Sequence, residues 1–167
     1  MTFYVENLVD ASFPFDEEEI ASRVCERILE LEKCPYEAEV NVFITDNEGI
    51  RRINKSERGI DKDTDVLSFP NLKYDKPSVF DLTINDPSGC TNPETDELIL
   101  GDIVVSADRV YSQAAEYGHL PLREYAFLIA HSMYHLCGYD HMDEEDARLM
   151  EKKQEEALNS LDITRRL

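Results

Sequence analysis

Residues 1–7 (MTFYVEN) alternate apolar and polar positions, the period of an opening strand. Asp16 reads as an N-cap, with Glu19 three residues on as a capping box and Phe15 placed to staple onto Ile20. Ile20, Val24, Ile28 and Leu31 then recur at helical spacing, which predicts a helix over about 16–33 that Pro35 stops. Residues 38–45 (AEVNVFIT) are rich in β-branched side chains and predict a central strand. Asp46 caps a second helix carrying Ile50 and Ile53, and residues 65–69 (DVLSF) form a third strand. Residues 71–97 are polar and turn-rich, which predicts an extended surface loop or hairpin arm. A fourth strand spans 98–105, Ser106 caps a third helix closing at Gly118, and Pro121 opens a fourth in its first turn. The last helix begins at Asp143 and lays Met150, Ala157, Leu158 and Leu161 along one face. The order β-α-β-α-β-β-α-α-α mixes crossovers with adjacent strands. It predicts an α+β fold, a small mixed, mostly four-stranded sheet packed with about five helices.

The 167 residues are one domain's worth of chain, so residues 1–167 are read as a single domain. With 42% hydrophobic residues in patterned runs, the chain is not disordered. Its 36 acidic against 17 basic residues give a net charge of −19, which argues against a general nucleic-acid binder. The first cation is Arg23, so no signal peptide is expected, and no apolar run is long enough for a membrane span. Cys25, Cys34, Cys90 and Cys137 show no C-x-x-C spacing and read as reduced thiols of a cytoplasmic protein.

Candidate chemistry concentrates in residues 131–141, HSMYHLCGYDH. His131 and His135 stand four apart, one above the other on a helix face. Two imidazoles so placed can converge on one ion at about 2.0–2.1 Å from each nitrogen. Gly138 supplies a left-handed residue that ends the helix and turns His141 back as a third ligand. Three His leave a fourth tetrahedral position open, the mark of a catalytic zinc site. Cys137 lies inside the cluster and is read as a ligand or an ordinary buried thiol. Leu122, Ala126, Ile129, Met133 and Leu136 form an apolar stripe on this helix, and Phe127 and Leu128 flank the histidine side. A helix apolar nearly all round is buried, which puts the zinc site at the end of a central buried helix. His119, after Gly118, reads as surface or rim.

The spacing matches the metzincin peptidases, H-E-x-x-H-x-x-G-x-x-H, in its three His and its Gly. Ser132 stands where their Glu general base belongs, which counts against peptide hydrolysis and leaves a zinc metallopeptidase as the alternative reading. A fuller likeness exists. HSMYHLCGYDH resembles the YbeY-family signature H-G-x-x-H-L-x-G-Y-D-H, with Ser132 in place of Gly. RGIDKDTDVLSFP (58–70) resembles that family's R-G-x-D-x-P-T-D-V-L-S-F-P, with Asp63 in place of Pro. LGDIVVS (100–106) and the Tyr117-Gly118-His119 turn also match, in the family's order.

The resemblance implies a zinc-dependent, single-strand-specific endoribonuclease of ribosome biogenesis. It would act in rRNA processing, notably maturation of the 3′ end of small-subunit 16S rRNA, and in ribosome quality control. One Zn²⁺ per chain would be held by His131, His135 and His141. Single-stranded or ribosomal RNA, the ribosome and small-subunit assembly factors such as the Era GTPase are the implied partners. Arg58 stands where the family has an Arg implicated in activity, and a guanidinium can match two phosphoryl oxygens at once. Lys62 is a candidate for backbone phosphate. Asp65, Asp102 and Asp140 either orient imidazole N–H groups or cap turns. Attack by water or by the RNA 2′-hydroxyl both remain open, and no general base stands out. Arg51, Arg52, Lys55, Arg58 and Lys62 fall within twelve residues, so the expected molecule is dipolar, with an electropositive cleft on an acidic body.

Overall fold

The computed structural model of the chain describes residues 1–165. Strand β1 (Thr2–Asn7) leads into helix α1 (Glu17–Leu31), strand β2 (Ala38–Thr45) and helix α2 (Asn47–Arg58). Strand β3 (Val66–Pro70), a 3₁₀ turn at Leu82–Ile84, the one-turn helix α3 (Pro87–Cys90) and strand β4 (Leu98–Ser106) follow. Helices α4 (Ala107–Tyr117), α5 (Pro121–Leu136) and α6 (Glu144–Ser160) complete the order. This is the expected α+β arrangement, with α3 added.

The anticipated caps are in place. Asp16, Asp46, Ser106 and Asp143 each accept a backbone N–H from the first turn of α1, α2, α4 and α6. Helix α1 ends before Pro35 is reached. Lys33 adopts a left-handed φ of 55°, its N–H donates to the Glu30 carbonyl, and the Cys34 N–H donates to Leu29. This 6→1 and 5→2 pair closes the helix. Leu31 consequently falls off the buried face and is 45% exposed, while Ala21, Cys25 and Leu29 join it.

The sheet order is β1-β2-β4-β3, with β1, β2 and β4 parallel and β3 antiparallel to β4. Val5, Val42 and Ile103 stand in register on the face that packs against α1 and α5. Phe43, Val104 and Leu67 on the other face pack against Ile50 and Ile53 of α2. A register shift between Glu39 and Val40 leaves Leu100 of β4 with no residue opposite it on β2, and Gly101 takes φ 142°. A Cβ on Gly101 would lie 2.2 Å from the Phe69 carbonyl oxygen, so the bulge lets β3 approach only because glycine is there.

Helix α5 lies at the centre, against α1, α4, α6, β3 and β4. The segment 71–97 is not an extended arm. Leu72 and Phe80 are buried, Tyr74 packs beside them, and the Tyr74 hydroxyl donates to the Leu136 carbonyl at 2.6 Å. Side chains of Asp81, Asn85 and Asp86 bond local backbone and Asn71 Nδ2 ties the segment to the Ile99 carbonyl of β4, which lets so polar a stretch fold compactly. The segment therefore wraps the C-terminal end of α5. There Gly138 takes φ 95°, and a Cβ on it would meet the Tyr74 ring at 2.6 Å. Gly138→Ala should lower unfolding free energy by about 1–3 kcal/mol, from left-handed strain and steric overlap together. Urea denaturation with an unchanged m-value would check it.

Candidate metal centre

The last two turns of α5 and the loop after it bring His131, His135 and His141 together, with one ring nitrogen from each lying within 4.8 Å of the others. His131 Nε2 and His135 Nε2 are 3.2 Å apart. His135 Nδ1 is 2.9 Å from the Tyr139 backbone oxygen. A carbonyl can only accept, so Nδ1 keeps its hydrogen and Nε2 keeps its lone pair. His131 Nδ1 contacts the side-chain amide of Gln154 at 2.6 Å. The amide's oxygen and nitrogen exchange by a half-turn, so Gln154 can accept from Nδ1–H and leave His131 Nε2 free as well. Burial, then the neighbouring His135 and His141, depress the His131 pKa to about 4; burial also lowers that of His135. Both are neutral near pH 7. A pair of fixed neutral imidazoles with free Nε2 lone pairs, joined by a third, is a donor set that fits Zn²⁺.

These residues line an open cleft of about 650 Å³ together with Arg58, Asp65, Ser68 and Asp140. Arg58 is the last residue of α2, on the far side of the sheet, and reaches the cleft across the free edge of β3. Its Nη2 donates to the Ser68 carbonyl at 2.7 Å, and its guanidinium carbon lies 5.3 Å from the Phe69 ring centre. Ser68 Oγ in turn donates to Ser132 Oγ at 2.8 Å. Ser132 is fully buried, so the position that departs from the family's glycine ties α5 to the strand that holds Arg58.

The other sequence candidates divide. Asp65 is in the cleft, where its Oδ1 accepts from Val66 N and its Oδ2 from Gln113 Nε2, and its charge acts on His131. Asp140 lines the cleft and caps the His141 N–H at 2.8 Å. Asp102 is not brought to the histidines. It accepts from Asn41 Nδ2 and shares the β4 face of Val104, which packs on α2. Lys62 is exposed and its carbonyl accepts from Asn54 outside the cleft. Of the expected basic cluster Arg58 alone lines the cleft, and Arg51 and Arg52 pair with Asp61 and Glu48. Cys137 is a fully buried thiol in the core.

A family model for the endoribonuclease YbeY matches residues 5–162. The chain belongs to the YbeY family. Relatives named endoribonuclease YbeY include one from Agathobacter rectalis, 52% identical over 99% of this chain and 100% of its own length. Another, from Lachnoclostridium phytofermentans, is 48% identical over 99% of this chain and 100% of its own. A solution structure of a Thermotoga maritima protein shares the fold, with a TM-score of 0.56 at 22% identity over 96% of this chain and 91% of that one. Those relatives carry the name of an endoribonuclease, and in this chain the three histidines and the cleft they line are where the structure offers chemistry.

Sequence reasoning missed the partners of the imidazoles. Gln154 is 2% exposed on the apolar face of α6, four residues after Met150 and three before Ala157, and a buried amide in such a stripe was the available signal. His119 is partly buried and paired rather than a free surface side chain. Its side chain is 13% exposed and its Nε2 lies 2.7 Å from Glu124 Oε2, because the Glu124 carboxylate buried in the first turn of α5 requires partners. Gln113 Nε2 joins the same carboxylate to Asp65. In metal-free protein the His131 ring resonances should titrate with a midpoint near 4, well below the ordinary 6.5. An NMR pH titration, with His131→Asn for assignment, checks this.

Proposed function

We propose that this YbeY-family protein is a zinc-dependent endoribonuclease cutting single-stranded RNA, with residues 1–167 acting as one hydrolase domain. The observation that carries the reading is the meeting of Arg58 and three histidines in one cleft. His131, His135 and His141 would hold one Zn²⁺. The ion would supply positive charge for a phosphoryl oxygen and acidify a water beside it. Arg58 is anchored by one nitrogen on the Ser68 carbonyl and keeps its remaining N–H groups for phosphate oxygens, where charge builds in the transition state. Asp65, held on both oxygens, fixes a negative charge at the rim of the imidazoles. Ser132, buried and hydrogen-bonded to Ser68, offers no carboxylate where a metzincin peptidase needs its general base.

The natural substrate in this reading is ribosomal RNA in the cytoplasm, at the 3′ end of the small-subunit 16S rRNA, with a role in ribosome quality control. A net charge of −19 and one cleft-lining cation among the described residues make the grip on naked RNA weak, so the assembled subunit, or an assembly factor such as the Era GTPase, delivers the strand. No helix among the described residues is long and apolar enough to cross a membrane.

His131→Ala should lose its equivalent of zinc by elemental analysis and lose cleavage with it. Arg58→Ala should keep the metal and cleave a single-stranded RNA about 10²–10³-fold more slowly, the usual cost of removing a donor to transition-state charge. Normal cleavage by the metal-loaded Arg58 variant would refute the assignment. RNA affinity, followed by fluorescence anisotropy, should fall steeply as salt is raised from 50 to 200 mM.

A further inference from the structure

The partners of His131 and His135 lie on different elements, α6 and the loop after α5, and one carboxylate is bonded to both. Glu32 is the residue that closes α1, and its side chain is only 5% exposed. Its Oε1 accepts from the Tyr139 hydroxyl and, at 2.7 Å, from Ser78 Oγ. Its Oε2 accepts from Lys153 Nζ at 3.1 Å. Tyr139 is the residue whose backbone oxygen fixes the His135 ring. Lys153 immediately precedes Gln154, whose amide contacts His131, and Lys153 also lies over the Tyr139 ring at 5.2 Å. Ser78, held in a left-handed turn, donates its N–H to the Cys137 carbonyl at the end of α5. Burial alone would raise the Glu32 pKa; the bonds from Tyr139, Ser78 and Lys153 outweigh it, so the group is a carboxylate.

We propose that Glu32 is a positioning residue for the metal site, gathering the Tyr139 loop, the Lys153–Gln154 turn and the Ser78 segment so that the His131 and His135 rings are set before an ion arrives. This rests on the reading of the three histidines as a Zn²⁺ site. A neutral amide at position 32 cannot accept from three donors and attract the ammonium as a carboxylate does. Without that anchor, the backbone oxygen and amide that orient the two rings lose their common reference, and ordering them falls to the ion itself.

The test is Zn²⁺ affinity of the full chain by chelator competition, in wild type, Glu32→Gln, Tyr139→Phe and the double variant, at a temperature where circular dichroism shows each apo-protein folded. Tyr139→Phe keeps the ring and the backbone oxygen and removes only the hydroxyl. Partners that orient a metal-bound His typically alter affinity by about 10–100-fold, so each single variant should weaken Zn²⁺ by about 10-fold. The double variant should be no weaker than Glu32→Gln, because both remove one linkage. Folded single variants with wild-type affinity would overturn the proposal, even if their apo melting temperatures fell, since a merely structural role moves only those. If Glu32→Gln does not fold, Tyr139→Phe decides alone. Wild type that fails to bind one Zn²⁺ would instead overturn the metal-site reading on which the inference stands.

Discussion

A helix enclosed by its neighbours has no water to satisfy the polar side chains it carries, and α5 is enclosed along most of its length. Each of those side chains has accordingly drawn a partner from a different element. Arg123, 1% exposed, bonds Glu155 of α6 and the Ile163 carbonyl. Glu124 takes His119 and Gln113, the Tyr125 hydroxyl donates to the Glu17 carbonyl, Ser132 pairs with Ser68, and the Tyr134 hydroxyl donates to the Lys153 carbonyl. His131 and His135 are the last members of this series, with Gln154 and the Tyr139 carbonyl. Packing the sheet against α5 and orienting the imidazoles are therefore one requirement, because the elements that bury the helix also supply the atoms that fix its side chains.

That burial also sets the charge of the site. Burial disfavours charge on both rings, helped at His131 by the neighbouring His135 and His141 and at His135 by His141, so both are driven neutral. A cation lodged on neutral donors keeps its full charge, unlike one on thiolates or carboxylates. In a chain of net charge −19 the proposed function depends on this, because the overall charge repels a polyanion. Under the proposed function, local positive charge at the cleft would rest on the bound ion and, among the described residues, on Arg58. The exposed arginines of α2 contribute little to it, since Arg51 and Arg52 are engaged by their own acidic partners.

Most of the elements were legible in the chain because their signals are local. Periodicity marks α1 and β2, and single side chains at Asp16, Asp46, Ser106 and Asp143 mark where helices begin. The three histidines were legible for the same reason, since i, i+4 and a glycine turn are short-range geometry. The segment 71–97 was misread because its polar side chains fold back on their own backbone, so the stretch has no period while Leu72, Tyr74 and Phe80 anchor it. The Tyr139 carbonyl left no signal because any residue there supplies the same backbone oxygen to His135, and the Glu32 contact to the Tyr139 hydroxyl joins positions more than a hundred residues apart. Asp102 stands in the LGDIVVS stretch that resembles the family's motif, yet alternation along β4 turns it to the α2 face with Val104. The side of a strand follows from parity once the core face is known, and LGDIVVS alone is apolar on both sides.

The placement of Arg58 ties these strands together. It leaves α2 on one face of the sheet and reaches a cleft on the other, which is possible only at an edge. Strand β3 is that edge, and because it runs antiparallel to β4, alternate residues turn their backbone groups outward. Ser68 is one of these, so its carbonyl is free to take the guanidinium while its hydroxyl points back to Ser132 on α5. Adding a strand beyond β3 would consume that carbonyl and wall Arg58 off from the histidines. Bulk at position 101 would press on the Phe69 carbonyl and displace β3 itself. A short open edge, ordinarily a liability for aggregation, is here occupied by the side chain that the cleft requires, and the glycine of the β4 bulge keeps it within reach.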